Sequence, residues 1–225
     1  MQLDGPGLAP LSGGKSVQLV VLLHGVAANG NDLLYLAHAW QKFLPEAEFI
    51  APNAPFPCDY APERWQWFSL QDRAPQKLLA GLRDAAVILD RFFDELLASR
   101  GLDESSLALA GFSQGAATAL YAGLHRQKHI AGVVAFSGAL PEAAALQSEI
   151  ASKPPVLLVH GEADDVVPFR SMASAKTVLE ASGVPVTAVA RPRLGHAIDG
   201  TGIALAGDFL RDVLAAGDTV SSRPA

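Results

Sequence analysis

Apolar residues along this chain gather into short unbroken runs separated by longer amphipathic stretches. The runs Val17 to Leu23, Glu48 to Ala51, Ser106 to Ala110, Ile130 to Phe136, Val156 to Val159 and Val186 to Ala190 are rich in β-formers. They predict strands, and the nearly continuous run Val17 to Leu23 predicts one covered on both faces. Between them the period changes. From Pro75 to about Arg100, Leu78, Leu82, Ala85, Leu89, Phe92 and Leu96 recur every three or four residues, predicting a helix that Pro75 opens and Gly101 closes. Further helices are expected from a cap at Asn31 or Asp32 through Trp40, from Gln114 to about Arg126, from Phe169 to Ala181 and from Ile203 to Leu214. Strands alternating with helices predict an α/β fold with a mainly parallel central sheet and helices on both faces. One domain over residues 17–216 accounts for these elements, with a loose lead-in over 1–16 and a loose tail over 217–225.

One stretch breaks the pattern. Pro52 to Arg73 carries Pro52, Pro55, Pro57 and Pro62 among Phe56, Tyr60, Trp65, Trp67 and Phe68 and is expected to be a long loop. The rings of Phe56, Trp65, Trp67 and Phe68 suit a substrate-binding wall and a plug for the sheet end equally well.

Composition narrows the class. Of the 225 residues half are hydrophobic and 18% are charged, a globular balance. The formal net charge of -6, with 17 scattered Lys and Arg, argues against a nucleic-acid partner. Cys58 is the only cysteine, so no intramolecular disulfide can form and a free, partly buried thiol is expected. The first residues lack the features of a signal peptide, and no apolar run reaches the ~18 residues that would span a bilayer. A cytoplasmic protein with no integral membrane segment is expected, with a homodimer possible. Neither a metal-ligand spacing nor a phosphate-cradling glycine loop is present, so no metal and no cofactor are expected.

The chemistry gathers where strands end. In parallel sheets ligands bind at the carboxyl ends of the strands, and four turns follow predicted strands: His24-Gly25, Gly111-Phe112-Ser113-Gln114-Gly115, His160-Gly161 and Gly195-His196. The second has the form G-x-S-x-G, a nucleophile elbow, in which strand and helix close so tightly that only glycine fits two residues to either side of the serine. A serine hydroxyl is a poor nucleophile without a base, itself oriented by a carboxylate. His196 lies downstream at a strand end, as the order serine, acid, histidine requires. His24 and His160 read as structural groups bonding loop backbone, and His38, His125 and His129 as solvated. The carboxylate is expected in Asp164 or Asp165, between which spacing does not choose. The backbone N–H groups of Gln114, at a helix start, and of Val26, past the His24-Gly25 turn, are the candidate oxyanion donors.

Six blocks in order resemble the phospholipase/carboxylesterase family of α/β-hydrolases, which includes the acyl-protein thioesterases. They are Leu23-His24-Gly25 with Asn29-Gly30-Asn31-Asp32, Ala51-Pro52-Asn53-Ala54-Pro55, Trp67-Phe68, Gly111 to Gly115, His160-Gly161-x-x-Asp164-x-Val166-Val167-Pro168, and Gly195-His196. The resemblance implies an α/β-hydrolase fold and Ser113, Asp164 and His196 as the triad, the family pattern H-G-x-x-D selecting Asp164. The connection from Ser137 to Pro155, where hydrolases of this kind commonly insert a capping domain, is too short for one. The expected function is cleavage of carboxylic esters through an acyl-enzyme, with acyl thioester or lysophospholipid hydrolysis as the alternative and a non-catalytic ligand-binding protein as the rival. The expected partner is a small-molecule acyl ester or thioester. Four departures from the family pattern stand out: Asp165 where a proline commonly follows the aspartate, Ala27 and Ala116 where glycines are common, and Ser69 where an aspartate often follows the aromatic pair.

Overall fold

The computed structural model describes residues 3–141, 145 and 147–221, with side chains through residue 216. Among the described residues, seven strands form one sheet in the order β1-β3-β2-β6-β7-β8-β9. They are β1 (Gly7–Leu8), β2 (Gln18–Leu23), β3 (Ala47–Ile50), β6 (Leu107–Phe112), β7 (Gly132–Phe136), β8 (Val156–Gly161) and β9 (Val186–Arg191). All neighbours run parallel except β1, which pairs antiparallel with β3. This is the α/β-hydrolase fold.

The alternation of side chains along β2 divides the core. Leu19, Val21 and Leu23 face one layer, with Leu82, Leu89 and Phe93 of α2 (Pro75–Arg100), Leu120 and Leu124 of α3 (Gln114–His125), and Met172 and Leu179 of α4 (Arg170–Ala181). Val20 and Leu22 face the other, with Leu36 and Trp40 of α1 (Leu34–Trp40) and Ala206, Leu210 and Leu214 of α5 (Gly200–Ser221). The central strands β2, β6, β7 and β8 are therefore buried on both sides, whereas the edge strands β1 and β9 are only partly covered.

Four local expectations need revision. The lead-in is not loose over its described part: β1 pairs with β3, Leu3 is buried, and the Asp4 carbonyl accepts the Asn53 N–H at 2.7 Å. A two-residue strand has no periodicity to announce it. The stretch after Pro52 contains a hairpin, β4 (Phe56–Cys58) with β5 (Ala61–Gln66), whose prolines and exposed polar residues hide it. The helix cap is Asn29, which opens a 3-10 turn over Gly30–Leu33 leading into α1; its side chain accepts from Asn31 N–H, and Asp32 reaches back to the Asn29 N–H. The last helix starts at Gly200 and runs to Ser221, into the segment expected to be a tail, of which residues 222–225 lie outside the described residues, as do residues 1–2 of the lead-in. Between β7 and β8, Glu149 is held by ion pairs and hydrogen bonds to Arg83 of α2 and by Tyr121 of α3, whose hydroxyl donates at 2.6 Å. Residues 142–144 and 146 of the same connection lie outside the described residues.

Candidate active site

The sheet register places the β2 and β6 ends side by side. Leu23 pairs with Gly111, so the chain leaving β2 runs beside the chain entering α3. The approach is backbone to backbone: a Cβ on Gly115 would sit 1.9 Å from the Leu23 carbonyl oxygen, and one on Gly111 2.2 Å from that of Gly115. Squeezed between them, Ser113 adopts φ 56 and ψ -118, a conformation rarely taken by residues with a side chain, and its N–H donates to the Phe136 carbonyl of β7 at 2.9 Å. The turn stores strain that the surrounding sheet enforces.

Ser113 and His196 line one cleft of about 490 Å³, without a hydrogen bond between their side chains. His196 lies in the loop after β9, its ring tilted against Phe112 at 4.7 Å, and its Nδ1 donates to Asp164 Oδ2 at 2.8 Å. Asp164 lies in the loop after β8. Its other oxygen, Oδ1, accepts the N–H groups of Val166 at 3.0 Å and Val167 at 2.8 Å. Burial pushes this carboxyl's pKa up, but His196 and the two backbone donors outweigh it and hold the group below its ordinary value. Asp165 is exposed. Of the two adjacent carboxylates, the structure gives Asp164 to the histidine.

Val26 lines the same cleft, and a Cβ on the preceding Gly25 would lie 3.5 Å from that of Ser113. The next N–H, that of Ala27, is taken by the Trp65 carbonyl at 2.9 Å, whereas among the described residues the N–H groups of Val26 and Gln114 have no protein acceptor. Ala27, one of the departures from the family pattern, takes a positive φ of 57. A glycine would hold this turn without the cost of a Cβ.

His24 anchors the loop from below. Fully buried, it accepts the Ala54 N–H on Nε2 at 3.0 Å, so its Nδ1 carries the hydrogen and donates to the Gly25 carbonyl at 2.7 Å. Burial depresses its pKa, keeping the ring neutral. The Gln114 side chain ties the hairpin to α3: its Oε1 accepts the Trp67 N–H and its Nε2 donates to the Phe68 carbonyl. His38 and His129 are exposed as expected. His125 is not solvated; its ring stacks on Tyr121 at 3.6 Å, and burial depresses its pKa.

The structure brings none of Phe56, Trp65, Trp67 and Phe68 to the wall of this cleft. Trp67 is fully buried and donates its indole N–H to the His24 carbonyl; Phe68 packs where a Cβ on Gly81 of α2 would be. Trp65 bridges to Ala28 through its backbone, and Phe56 lines a separate depression beside α2. These rings support the loop rather than form the wall. The lining that sequence reasoning missed comes from Leu33, Tyr35, Phe112, Val166 and Ile198. Phe112 and Val166 lie inside motif blocks, and Ile198 follows His196 by two positions, the one signal that pointed to them. Asp32 also reaches the cleft, but its carboxylate accepts the Asn29 N–H at the start of the 3-10 turn and pairs with Arg64 at 3.4 Å.

Cys58 is buried and free. Among the described residues, no group of three or more His, Cys, Asp or Glu side chains could hold a metal ion, and no helix is long and apolar enough to cross a membrane.

Comparison with known proteins identifies the family. A family model described as Phospholipase/Carboxylesterase matches residues 11–214. Acyl-protein thioesterase 1 of Schizosaccharomyces pombe is 32% identical over 169 residues, covering 71% of this chain and 75% of that protein. A probable carboxylesterase of Oryza sativa subsp. japonica is 31% identical over 202 residues, covering 82% of this chain and 73% of that protein. The crystal structure of esterase PE8 superposes with a TM-score of 0.90 at 40% identity, covering 95% of this chain and all of that one. The chain belongs to the phospholipase/carboxylesterase family, carboxylic ester hydrolases of the α/β-hydrolase fold.

Proposed function

We propose that this chain hydrolyses carboxylic esters through an acyl-enzyme formed on Ser113. The observation that carries the reading is the strained Ser113 turn opening into the same cleft as His196, whose Nδ1 is bound to Asp164 at 2.8 Å. Ser113 Oγ attacks the acyl carbonyl carbon as its proton passes to His196 Nε2. Asp164 fixes the tautomer that leaves Nε2 free to accept, and stabilises the imidazolium. The negative charge on the carbonyl oxygen is held by the Val26 and Gln114 N–H groups, the second reinforced by the start of α3. Collapse expels the alcohol, which takes the proton back from His196; water then attacks the acyl-serine by the same steps in reverse.

Supporting the acyl group falls to Val26, Leu33, Phe112, Val166 and Ile198, which line the cleft around Ser113. A thioester or a lysophospholipid is the alternative substrate, favoured by the relative named acyl-protein thioesterase and by the apolar rim at Tyr35 and Val166, respectively 46% and 64% exposed. A nitrophenyl ester series from acetate to palmitate separates these. Each methylene that the cleft buries contributes ~0.8 kcal/mol, so kcat/KM should rise by up to about 4-fold per methylene until the cleft is filled, then level. Ser113→Ala should abolish turnover across the series. Absence of turnover by the folded wild type with every ester, and with an acyl thioester, would instead support a binding protein.

A further inference from the structure

We propose that His160 is a positioning residue for Asp164, an inference that rests on the triad reading. His160, the residue before Gly161 at the end of β8, is 2% exposed and does not line the cleft, so it is no substitute base for Ser113. Its Nε2 lies 2.9 Å from the Val167 carbonyl oxygen and 3.2 Å from Asp164 Oδ2. A carbonyl only accepts hydrogen bonds, so Nε2 carries the hydrogen and donates it to Val167, while Asp164 Oδ2 lies against the same edge of the ring.

Asp164 meets three donors and one close imidazole. Two backbone N–H groups hold Oδ1, Oδ2 receives His196, and His160 Nε2 stands 3.2 Å from Oδ2. The backbone pair sets which way the side chain leaves the loop. Through the Val167 carbonyl His160 ties that loop, and with it the N–H that holds Oδ1, to the rigid end of β8, and its ring closes the space beside Oδ2. The Phe169 ring meets the imidazole nearly edge-on, at 6.0 Å and 79°, and limits its rotation. Without His160 the carboxylate keeps its charge but Oδ2 is free to turn from the line to His196 Nδ1.

A double-mutant cycle with nitrophenyl acetate tests this. His160→Leu, melting as a folded protein, should lower kcat by about 10-fold with KM little changed, the scale of one buried hydrogen bond. His160→Gln, whose amide N–H reaches nearly the same point, should recover most of that loss. In an Asp164→Asn background, His160→Leu should change the residual kcat/KM by less than about 2-fold, because the group it positions is gone. Equal losses in both backgrounds, no loss at all, or a Gln variant no better than Leu would overturn the proposal while leaving the triad intact. An Asp164→Asn variant as active as wild type would overturn both. If His160→Leu does not fold, His160→Asn, too short to reach Oδ2, takes its place in the cycle.

Discussion

At the scale of single residues, the sharpest contrast is between Asp164 and its neighbour. The two have the same chemistry and adjacent positions, yet one is buried against His196 and the other is exposed. Asp164→Asn should lower kcat by about 10⁴-fold through the wrong imidazole tautomer, whereas Asp165→Asn should stay within about 2-fold of wild type. Steady-state kinetics of the two variants decides the assignment; the reverse ranking would give the role to Asp165. Ser113 and His196 were legible in the sequence because a glycine-flanked serine and a downstream histidine each carry positional rules. Asp164 was legible only through the family pattern, since adjacent residues point in different directions and spacing alone does not say which. The cleft wall was legible only where it falls inside a motif, as at Phe112 and Val166: elsewhere an aromatic residue looks the same in sequence whether it faces a ligand or, like Trp67, satisfies its N–H against a buried carbonyl.

At the scale of elements, strands β2 and β6 and helix α3 act as one unit through Gly111 and Gly115. Both glycines face backbone rather than flexible side chains, which leaves an added methyl nowhere to go. Gly115→Ala should destabilise the fold by about 3 kcal/mol or more and displace Ser113, read as a lower denaturant midpoint together with lost ester turnover. An alanine variant of wild-type stability and activity would show that the close approach is not required. The long elements were legible because their periodicity persists over several turns or fills a whole strand. What escaped was short or interrupted: β1 with two residues, and the β4–β5 hairpin, where Pro57 and Pro62 remove ladder donors that mark ordinary strands. That hairpin nonetheless positions the site, because Gln114 clasps its end at Trp67 and Phe68.

At the scale of the whole molecule, the connection between β7 and β8 is fastened to the helical layer by Glu149. Arg83 and then Tyr121 stabilise its carboxylate, holding the pKa at about 2 against an ordinary value of 4.5. A carboxylate with a depressed folded-state pKa stabilises the fold fully above its unfolded value and loses that contribution as pH falls through the folded value. Wild type should therefore lose stability between about pH 4.5 and 2. Glu149→Gln should be less stable than wild type at pH 7, with the gap closing across that window; denaturant titrations at pH 7, 4.5 and 2.5 measure it, and a gap constant with pH would rule out the linkage.

The fold brings loops from four strand ends to one cleft, and the proposed acyl-enzyme route requires a single activated hydroxyl there. Treatment with a fluorophosphonate, followed by intact mass and peptide mapping, tests that most directly. One adduct, on the peptide containing Ser113 and absent from Ser113→Ala, is the predicted result. Wild type that takes no label while folded, or labelling that survives in Ser113→Ala, would contradict it.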